Sequence, residues 1–359
     1  MASKKANKTY GLGLMSGTSL DGLDIVYVCF KENNAKTDFK IIHGKTYPYS
    51  TKWTKNLKEA PFISGRELIE LDQKYSRYLA EKCKDFIEEY QIKKLDFIAS
   101  HGHTLFHQPE KGYTFQLGNK PILSTLTKKI VVCDFRVQDV DFDGQGAPLV
   151  PIGDKLLFSK YDGCVNLGGF SNLSFSKNKK TIAFDICPVN FVLNRLCQSL
   201  EKKYDKGGKI AKNGILIPKL LDELNQIEYY HLTPPKSLGQ EWVEQNIYPL
   251  FEQYPEKPEN LIATFTEHAA MQIARELENN GLMKVLFTGG GAFNDFLLQR
   301  ISVHFPKTKI VVPQKEIVEF KEALIFAFLG LRKLQGKNNT LASVTGAKKN
   351  HSAGTIFFP

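Results

Sequence analysis

The chain has 359 residues, of which 42% are hydrophobic and 24% are charged, and its formal net charge is +10. This composition is typical of a globular protein and excludes a disordered or fibrous chain, and the length favours two domains. The positive charge favours anionic ligands, but the lysines are scattered along the sequence rather than grouped with aromatic residues, which argues against nucleic-acid binding.

The sequence also indicates whether the chain crosses a membrane and what state its cysteines take. The longest strongly apolar stretch, residues 323–331, is too short to cross a bilayer, and the first ten residues lack the apolar segment of a signal peptide. We therefore predict a cytoplasmic protein without a membrane partner, for which a homodimer is one possible assembly. None of the six cysteines has CxxC spacing, so we expect buried free thiols rather than disulfides or a zinc site.

Residues 12–28 contain two apolar runs that flank a turn rich in glycine and hydroxyl groups. This pattern predicts a β-hairpin whose tip binds phosphate, because Gly17 and Gly22 would let backbone N–H groups approach an anion. Asp21 could hold Mg²⁺ there, directly or through water. The alternative is an ordinary surface turn, since Gly, Asp and Ser are common in such turns.

A strand over residues 39–49 and a long helix follow. Ser64 and Glu67 form the sequence pattern of a capping box at the start of this helix, and apolar residues then recur at helical spacing. Two short buried strands are predicted at residues 95–99 and 130–133. Each would present polar residues at its carboxyl end, where open α/β sheets bind ligands.

Three histidines, His101, His103 and His107, come directly after the first of these short strands. Their spacing suits a metal site, but no cysteine or carboxylate accompanies them at ligand spacing. Hydrogen bonding to a sugar is the more natural use, and buried structural histidines are the remaining alternative.

Residues 141–148 contain glycine and proline and predict a break that ends the first domain or forms the floor of a cleft. The second half then begins like the first, with strand, glycine turn and strand over residues 163–173. This similarity predicts an internal duplication in which two glycine hairpins, the second containing Asn166, Gly168 and Gly169, would hold a polyphosphate from both sides.

A strand over residues 181–185 ends in Asp185, and Pro188 is predicted in the first turn of the next helix. A carboxylate at this place in a cleft is well sited as a general base, whereas the alternative is a helix cap. The polar loops at residues 204–208 and 234–241 either line the cleft or only connect helices.

Near the end, a strand over residues 284–288 leads into Gly289, Gly290 and Gly291, then Asn294 and a helix over residues 295–302. Three glycines at such a junction would let a base or a ribose lie against bare backbone. We therefore predict a nucleoside site here.

Eight sequence blocks together resemble the anhydro-N-acetylmuramic acid kinase family over nearly the whole chain. In order they are GLMSGTSLDGLD, SHGHTLFHQP, DFRVQDV with GQGAPLVP, NLGGFSNL, FDICPVN, PPKSLGQE, TGGGAFN and SVTGA. The resemblance implies an α/β fold of two actin-like, ribonuclease H-like ATPase domains. Each would be a five-stranded mixed sheet flanked by helices, with ATP in the interdomain cleft. We place domain I at residues 1–138, rejoined by residues 338–359, and domain II at residues 139–337.

The resemblance also implies a reaction. With ATP and Mg²⁺ as cofactors, the enzyme would open the 1,6-anhydro bridge of its sugar and phosphorylate O6, giving N-acetylmuramate 6-phosphate during cell-wall recycling. The catalytic base falls on Asp185 and the metal ligand on Asp21. The nucleotide site is predicted at Ser16, Gly17, Thr18, Ser19, Asp21, Asn166, Gly168, Gly169, Gly289, Gly290, Gly291 and Asn294, and the sugar site at His101, His103, Gln116, Arg136, Asp139 and Asn190.

The chain also departs from the family pattern. Where family members usually read FDTGPGN, this sequence has Ile186, Cys187 and Val189 beside the proposed base. It also has Leu238 and Gln240 in a block that usually reads STGRE. Bulkier residues beside Asp185 would reshape the sugar pocket. The alternatives are a kinase of this fold that acts on another sugar and a catalytically silent ATP-binding or interaction protein.

Overall fold

A computed structural model describes residues 7–33 and 36–359. The chain forms two compact units. Unit 1 comprises the described residues up to Leu157 together with Phe320–Pro359, and unit 2 is Phe158–Glu319. The chain thus passes between units about twenty residues away from the boundaries that we placed at 138/139 and 337/338. Residues 1–6 of the predicted domain I lie outside the described residues.

Twelve strands are described. In chain order they are β1 Asn7–Ser16, β2 Gly22–Asn33, β3 Lys36–Pro48, β4 Phe97–Gln108, β5 Tyr113–Leu117, β6 Ile130–Cys133, β7 Gly163–Leu167, β8 Phe170–Lys177, β9 Lys180–Pro188, β10 Lys284–Thr288, β11 Lys309–Val311 and β12 Thr355–Phe357.

The α-helices in the described residues are, in chain order, α1 Thr51–Glu59, α2 Gly65–Glu89, α3 Ile122–Thr127, α4 Val137–Asp141, α5 Val150–Leu157, α6 Asn190–Gln198, α7 Lys209–Asn213, α8 Pro218–Gln226, α9 Gln240–Asn246, α10 Tyr248–Glu252, α11 Pro258–Asn279, α12 Asp295–His304, α13 Lys315–Leu334 and α14 Ala342–Thr345. Short 3₁₀ helices include Lys206–Gly208, Glu228–His231 and Gly290–Phe293.

Unit 1 is built on a seven-stranded mixed sheet in the order β12-β6-β4-β1-β2-β3, with β5 paired to β4. The predicted hairpin is confirmed: β1 and β2 are antiparallel, with Ser16 opposite Leu23 next to the turn. Their central residues are buried, as expected for strands in the middle of a sheet covered by helices.

Helix α2 begins where the sequence predicts. The Ser64 hydroxyl accepts a hydrogen bond from Glu67 N, and the Ser64 N–H donates to the Glu67 carboxylate, so the capping box is complete. One face of α2, with Tyr75, Leu79 and Phe86, is buried together with apolar residues of β1, β2 and β4. This helix therefore covers one face of the first sheet.

Unit 2 contains a five-stranded mixed sheet in the order β11-β10-β7-β8-β9. Strands β7, β8 and β9 are antiparallel, while β10 is parallel to both β7 and β11. The first sheet contains the same arrangement in β6-β4-β1-β2-β3. The predictions of two α/β units on mixed sheets and of an internal duplication are therefore confirmed at the level of topology. The expected strand number is correct for unit 2 but not for unit 1, where β5 and β12 extend the sheet to seven strands.

Two local predictions were wrong. Strand β4 does not end at residue 99 but continues to Gln108, where it pairs with β5, so His101 and His103 lie within the strand. Pro188 does not open a helix but ends β9. Because β9 is the edge strand of its sheet, the missing N–H of Pro188 leaves no strand partner unsatisfied.

The prediction for the cysteines is confirmed, since all six are free and buried. Within residues 7–33 and 36–359, no helix combines the length and the apolar character needed to span a membrane.

Candidate functional site

The tip of the β1–β2 hairpin in unit 1 lies at the surface. Thr18, Ser19 and Asp21 are exposed. Gly17 has no left-handed φ, and a Cβ atom built on it would have no close neighbour except Ser19 Oγ at 3.6 Å. Neither the backbone nor the packing therefore requires glycine at position 17, and its bare backbone is open to a ligand. Gly22 differs, because a Cβ atom there would meet Tyr47 O at 2.5 Å.

Ser16 lies beneath this tip and is buried. Its Oγ lies 2.9 Å from His103 Nδ1 and 2.7 Å from the Tyr49 hydroxyl, which in turn lies 2.6 Å from the Tyr75 hydroxyl. Burial lowers the pKa of His103 to about 4, so its imidazole is neutral at pH 7. These contacts hold the base of the hairpin, and tertiary packing alone brings Tyr49 and Tyr75 to it.

His101 and Arg136 form a second buried pair in unit 1. The His101 Nδ1–H donates to Gly102 O at 2.9 Å, so Nε2 is free to accept from Arg136 Nε at 3.0 Å. Burial, reinforced by the charge of Arg136, lowers the pKa of His101 well below its usual range. Burial also lowers the pKa of Arg136 to about 10, and its Nη1 donates to Gly146 O at 2.7 Å. His101 thus remains neutral and orients the guanidinium.

Asp139 is fully buried. Its Oδ2 accepts from Gly146 N at 2.8 Å, and its Oδ1 accepts from Thr345 Oγ1 at 2.9 Å. A Cβ atom on Gly144 would overlap this carboxylate. These contacts fit a residue that shapes the loop at 144–146, and a direct contact of Asp139 with substrate remains a prediction.

Gln116 is also buried, and its Nε2 donates to Thr114 Oγ1 at 2.7 Å. Within the described residues, its Oε1 has no hydrogen-bond partner. The same part of the chain contains no group of three or more His, Cys, Asp or Glu side chains that could hold a metal ion by themselves. The structure therefore gives no support to a metal role for His101, His103 and His107.

Asp185 lies in β9 of unit 2 and is half-buried. Its Oδ1 accepts from Asn172 Nδ2 at 2.7 Å, and its Oδ2 accepts from Leu238 N at 2.9 Å. Burial raises the pKa of this carboxyl, while the two hydrogen bonds oppose that shift by stabilising the ionised form. Helix α6 has Val189 as its N-cap residue, so Asp185 does not cap it and that alternative was wrong.

The backbone of Asp185 is also held. The Tyr229 hydroxyl donates to Asp185 O at 2.6 Å, and Asp185 N donates to Lys236 O at 3.3 Å. Sequence reasoning assigned no role to Asn172 or Tyr229. Asn172 could have been found, because it faces Asp185 across the β8–β9 pair, but Tyr229 comes from a distant 3₁₀ helix.

The second glycine turn, Gly168 and Gly169 between β7 and β8, is fixed by Asn190. Asn190 N donates to Gly168 O at 3.2 Å, and Asn190 Nδ2 donates to Leu167 O at 3.1 Å. A Cβ atom on Gly169 would have only Phe191 Cβ near it, at 3.7 Å, so this glycine is open like Gly17. Asn190, which we predicted as a sugar ligand, uses its described hydrogen bonds to hold the turn.

Asn166 connects this turn to Asp185. Its Nδ2 donates to Asn172 Oδ1 at 3.4 Å, and Asn172 donates in turn to Asp185. A predicted nucleotide residue and the predicted base are therefore joined by a chain of two amide side chains, which fixes the orientation of both amides.

The three glycines after β10 have different roles. Gly289 has a φ of +80°, which favours glycine, and a Cβ atom on Gly291 would lie 2.7 Å from Leu167 Cβ. A Cβ atom on Gly290 would have no neighbour nearer than Asn190 Nδ2 at 3.9 Å. Of these three glycines, only Gly290 is therefore required by neither backbone conformation nor packing. The turn and the glycine loop are thus adjacent in unit 2.

Asn294 caps α12, because its Oδ1 accepts from Leu297 N at 3.0 Å. Gly208 lies directly against it, and a Cβ atom on Gly208 would overlap the Asn294 side chain. Of the two possibilities for the loop at residues 204–208, the structure supports a position beside the candidate nucleoside loop.

Three of the residues that depart from the family pattern point into the core. Ile186, Cys187 and Val189 are each at most 1% exposed and belong to the hydrophobic core of unit 2. Their side chains therefore do not line an open surface beside Asp185, and an effect of their bulk on the shape of the sugar pocket remains a prediction.

Comparisons with known proteins agree with these features. The sequence model of the anhydro-N-acetylmuramic acid kinase family matches residues 9–359. The anhydro-N-acetylmuramic acid kinase of Francisella tularensis subsp. novicida is 35% identical, over 97% of this chain and 98% of that protein. The one from Actinobacillus pleuropneumoniae serotype 5b is 32% identical, over 98% and 99% respectively.

Similar solved structures are more distant. Component A of (R)-2-hydroxyglutaryl-CoA dehydratase from Acidaminococcus fermentans matches with a TM-score of 0.46 and 13% identity, over 89% of this chain and 96% of that one. A ROK family glucokinase from Streptomyces griseus matches with a TM-score of 0.41 and 10% identity, over 89% and 98% respectively. The family assignment rests on the full-length sequence matches: the chain belongs to the anhydro-N-acetylmuramic acid kinase family.

Proposed function

We propose that this protein is an ATP-dependent kinase that opens the 1,6-anhydro bridge of 1,6-anhydro-N-acetylmuramic acid and phosphorylates O6. The product would be N-acetylmuramate 6-phosphate, formed during cell-wall recycling. The observation that carries the proposal is the setting of Asp185 in a chain of this family. Its carboxylate is half-buried, receives one hydrogen bond on each oxygen and retains lone pairs for a further proton.

In the proposed mechanism Asp185 accepts a proton from a water molecule as that water attacks the anomeric carbon. The bond between this carbon and O6 breaks, and O6 takes the electron pair and attacks the γ-phosphorus of ATP, releasing ADP. Burial raises the pKa of Asp185, which makes the carboxylate a stronger base. The hydrogen bonds from Asn172 and Leu238 keep it oriented toward the water.

Three glycines support nucleotide binding. Gly17, Gly169 and Gly290 lack both a left-handed φ and a close neighbour that would exclude a side chain. Glycine at such positions leaves backbone N–H groups accessible to phosphate oxygens or to a ribose. We assign Gly17 and Gly169 to phosphate and Gly290 to the nucleoside.

The residues of the first hairpin also fit Mg²⁺. Asp21 is exposed, beside the exposed hydroxyls of Thr18 and Ser19. Proteins usually bind Mg²⁺ through one or two carboxylates, with water and substrate phosphates as the other ligands, so one carboxylate is sufficient. Bound there, Mg²⁺ would neutralise phosphate charge, and Asp21 would hold it directly or through water.

The test is a reaction in H₂¹⁸O with Mg-ATP and a panel of sugars, followed by mass spectrometry and NMR of the product. We expect ADP release only with the anhydro amino sugar, one ¹⁸O on the anomeric carbon, and a phosphate on O6 without ¹⁸O. ADP release with a different sugar would overturn the substrate, and no sugar-dependent release from folded protein would overturn the kinase activity.

A further inference from the structure

Residues 236–238 form part of the irregular segment between the 3₁₀ helix Glu228–His231 and α9, and they supply two hydrogen bonds to Asp185. Leu238 N donates to the Asp185 carboxylate at 2.9 Å, and Lys236 O accepts from Asp185 N at 3.3 Å. An irregular segment without an anchor is mobile, which would make the Leu238 hydrogen bond intermittent. The geometry of Asp185 thus depends on what fixes this segment.

Lys236 is the one residue of the three whose side chain reaches a charged group in the described structure. Its side chain is 3% exposed, and its Nζ lies 3.3 Å from Glu276 Oε1 on α11, which is 11% exposed. The ammonium also lies 5.4 Å from the Phe184 ring centroid and 5.1 Å from that of Tyr229. Phe184 precedes Asp185, and Tyr229 donates to its carbonyl.

A buried lysine is strongly constrained. Moving it away from its partner would leave Glu276 as an unpaired charge inside the protein, which is far more costly than breaking an exposed ion pair. The pair therefore restrains the backbone at Lys236 and, together with the Leu238 side chain that packs against the core of unit 2, holds Leu238 N two residues later.

We propose that Lys236 is a positioning residue for the base: its buried ion pair with Glu276 holds residues 236–238 so that Leu238 N remains hydrogen-bonded to Asp185. The inference rests on the proposed function of Asp185 as the base. The departure from the family pattern at Leu238 leaves this contact intact, because the donor is the backbone N–H rather than the side chain. Lys236 itself acts through Leu238.

The pH dependence follows from the groups around Asp185. Cys187 and Tyr229 are uncharged at neutral pH, because burial raises the pKa of each. Lys236, Glu276 and Arg275 are the charged side chains that act on Cys187 in this part of β9 besides Asp185, and Lys236 and Glu276 form the ion pair among them. Loss of the Leu238 hydrogen bond would destabilise the ionised carboxylate and move the acidic limb of the pH–rate profile to higher pH.

Four variants separate anchoring from electrostatics. Lys236→Met breaks the pair, Lys236→Arg keeps its charge, and Lys236→Met with Glu276→Gln removes both charges without leaving one unpaired. Lys74→Met is the matched control, since Lys74 makes a pair of similar length, 3.4 Å, with Glu70 on the exposed face of α2.

The readouts are kcat, the KM values for sugar and ATP, the pH–rate profile, and the ¹³C NMR titration of Asp185, assigned with Asp185→Asn. For the doubly substituted protein we expect kcat to fall about tenfold, as for loss of one hydrogen bond to a charged group, with the acidic limb at higher pH and KM for ATP unchanged. Lys236→Arg should restore most of kcat, and Lys74→Met should match the parent.

An unchanged kcat and pH profile in the folded double variant would overturn the positioning role. If Lys236→Met does not fold, the double variant still decides the question, because it buries no unpaired charge. The NMR titration needs no turnover. A parent protein without sugar-dependent ADP release would overturn the proposed function, while the Asp185 titration would still show whether Lys236 controls its ionisation.

Discussion

Replacing Asp185 by asparagine should remove catalysis and leave the fold almost unchanged. Asparagine has the size of aspartate but no basicity, and loss of a general base lowers kcat by about 10²–10⁴-fold. The amide that replaces the carboxylate can accept only one of the two hydrogen bonds that Asn172 and Leu238 donate. KM for ATP should change little, because the glycines assigned to the nucleotide are unaltered.

The effect on stability is the balance of two opposed terms. The lost hydrogen bond to a charged group costs on the order of 1.5–3 kcal/mol, whereas removal of a half-buried charge offsets part of that cost. We therefore expect the Tm at pH 7 to change by less than about 6 °C.

The sign of the pH dependence is fixed by the raised pKa of Asp185 in the folded protein. The carboxyl contributes most to stability below its unfolded pKa of about 4, and this contribution is lost as the pH rises through the folded pKa. The amide of the Asp185→Asn variant does not titrate and has no such dependence. The stability of this variant relative to the parent should therefore increase from acid toward neutral pH.

ADP release gives kcat, and thermal unfolding at several pH values gives the stability difference. Asp162→Asn is a suitable control, because the Asp162 carboxylate also accepts two hydrogen bonds, here both from backbone N–H groups, those of Met283 and Lys284, but lies at the surface before β7. A folded Asp185→Asn protein with kcat within a few-fold of the parent would refute the assignment of the base. A stability difference independent of pH would refute the raised pKa.

Three other results are expected. Gly290→Val should abolish the rise in Tm that Mg-ATP produces and leave the Tm of the unliganded protein unchanged. Gly291→Val places its side chain against Leu167 and should destabilise the protein by about 1–3 kcal/mol. An equal loss of Tm in both variants would contradict the assignment of Gly290 to the ligand and Gly291 to packing. Gly17→Val should raise KM for ATP without loss of stability, while Gly22→Val, whose side chain meets Tyr47 O, should lower Tm. An unchanged KM for Gly17→Val would remove Gly17 from the proposed phosphate site. All six cysteines should resist alkylation until denaturant is added, because they are buried and burial raises the pKa of Cys83, Cys133 and Cys187. Rapid labelling of the native protein would argue against this burial.

The sequence predicted those parts of the fold that depend on local chemistry. The β1–β2 hairpin and the capping box of α2 are specified by residues within a few positions of one another. The carboxyl half of β4 was missed, because its polar residues have no apolar alternation and form a strand only through pairing with β5. Pro188 was misplaced for a similar reason, since only the position of β9 at the sheet edge makes proline acceptable there.

The sequence predicted which residues belong to the candidate site, but not which side chains contact one another there. Asp185 and the open glycines follow from the sequence blocks, whereas the partners of Asp185 come from three separate segments, represented by Asn172, Tyr229 and Leu238. The direction of Ile186, Cys187 and Val189 could not be inferred either. A register shift between Ser171 and Asn172 changes the pairing beside them, and one residue of shift decides which side chains face the core.

The division of unit 1 into two separated parts of the sequence has a consequence for biosynthesis. Unit 2 is a continuous stretch, so the ribosome completes it before residues 320–359 of unit 1 are made. Until then β6 lacks its partner β12, and the hydrogen bond between Glu32 and Gln335, 303 residues apart, cannot form. The nascent first sheet therefore exposes an apolar edge while the second unit is able to fold. The segment translated first is thus the one that depends on the last residues to complete its structure.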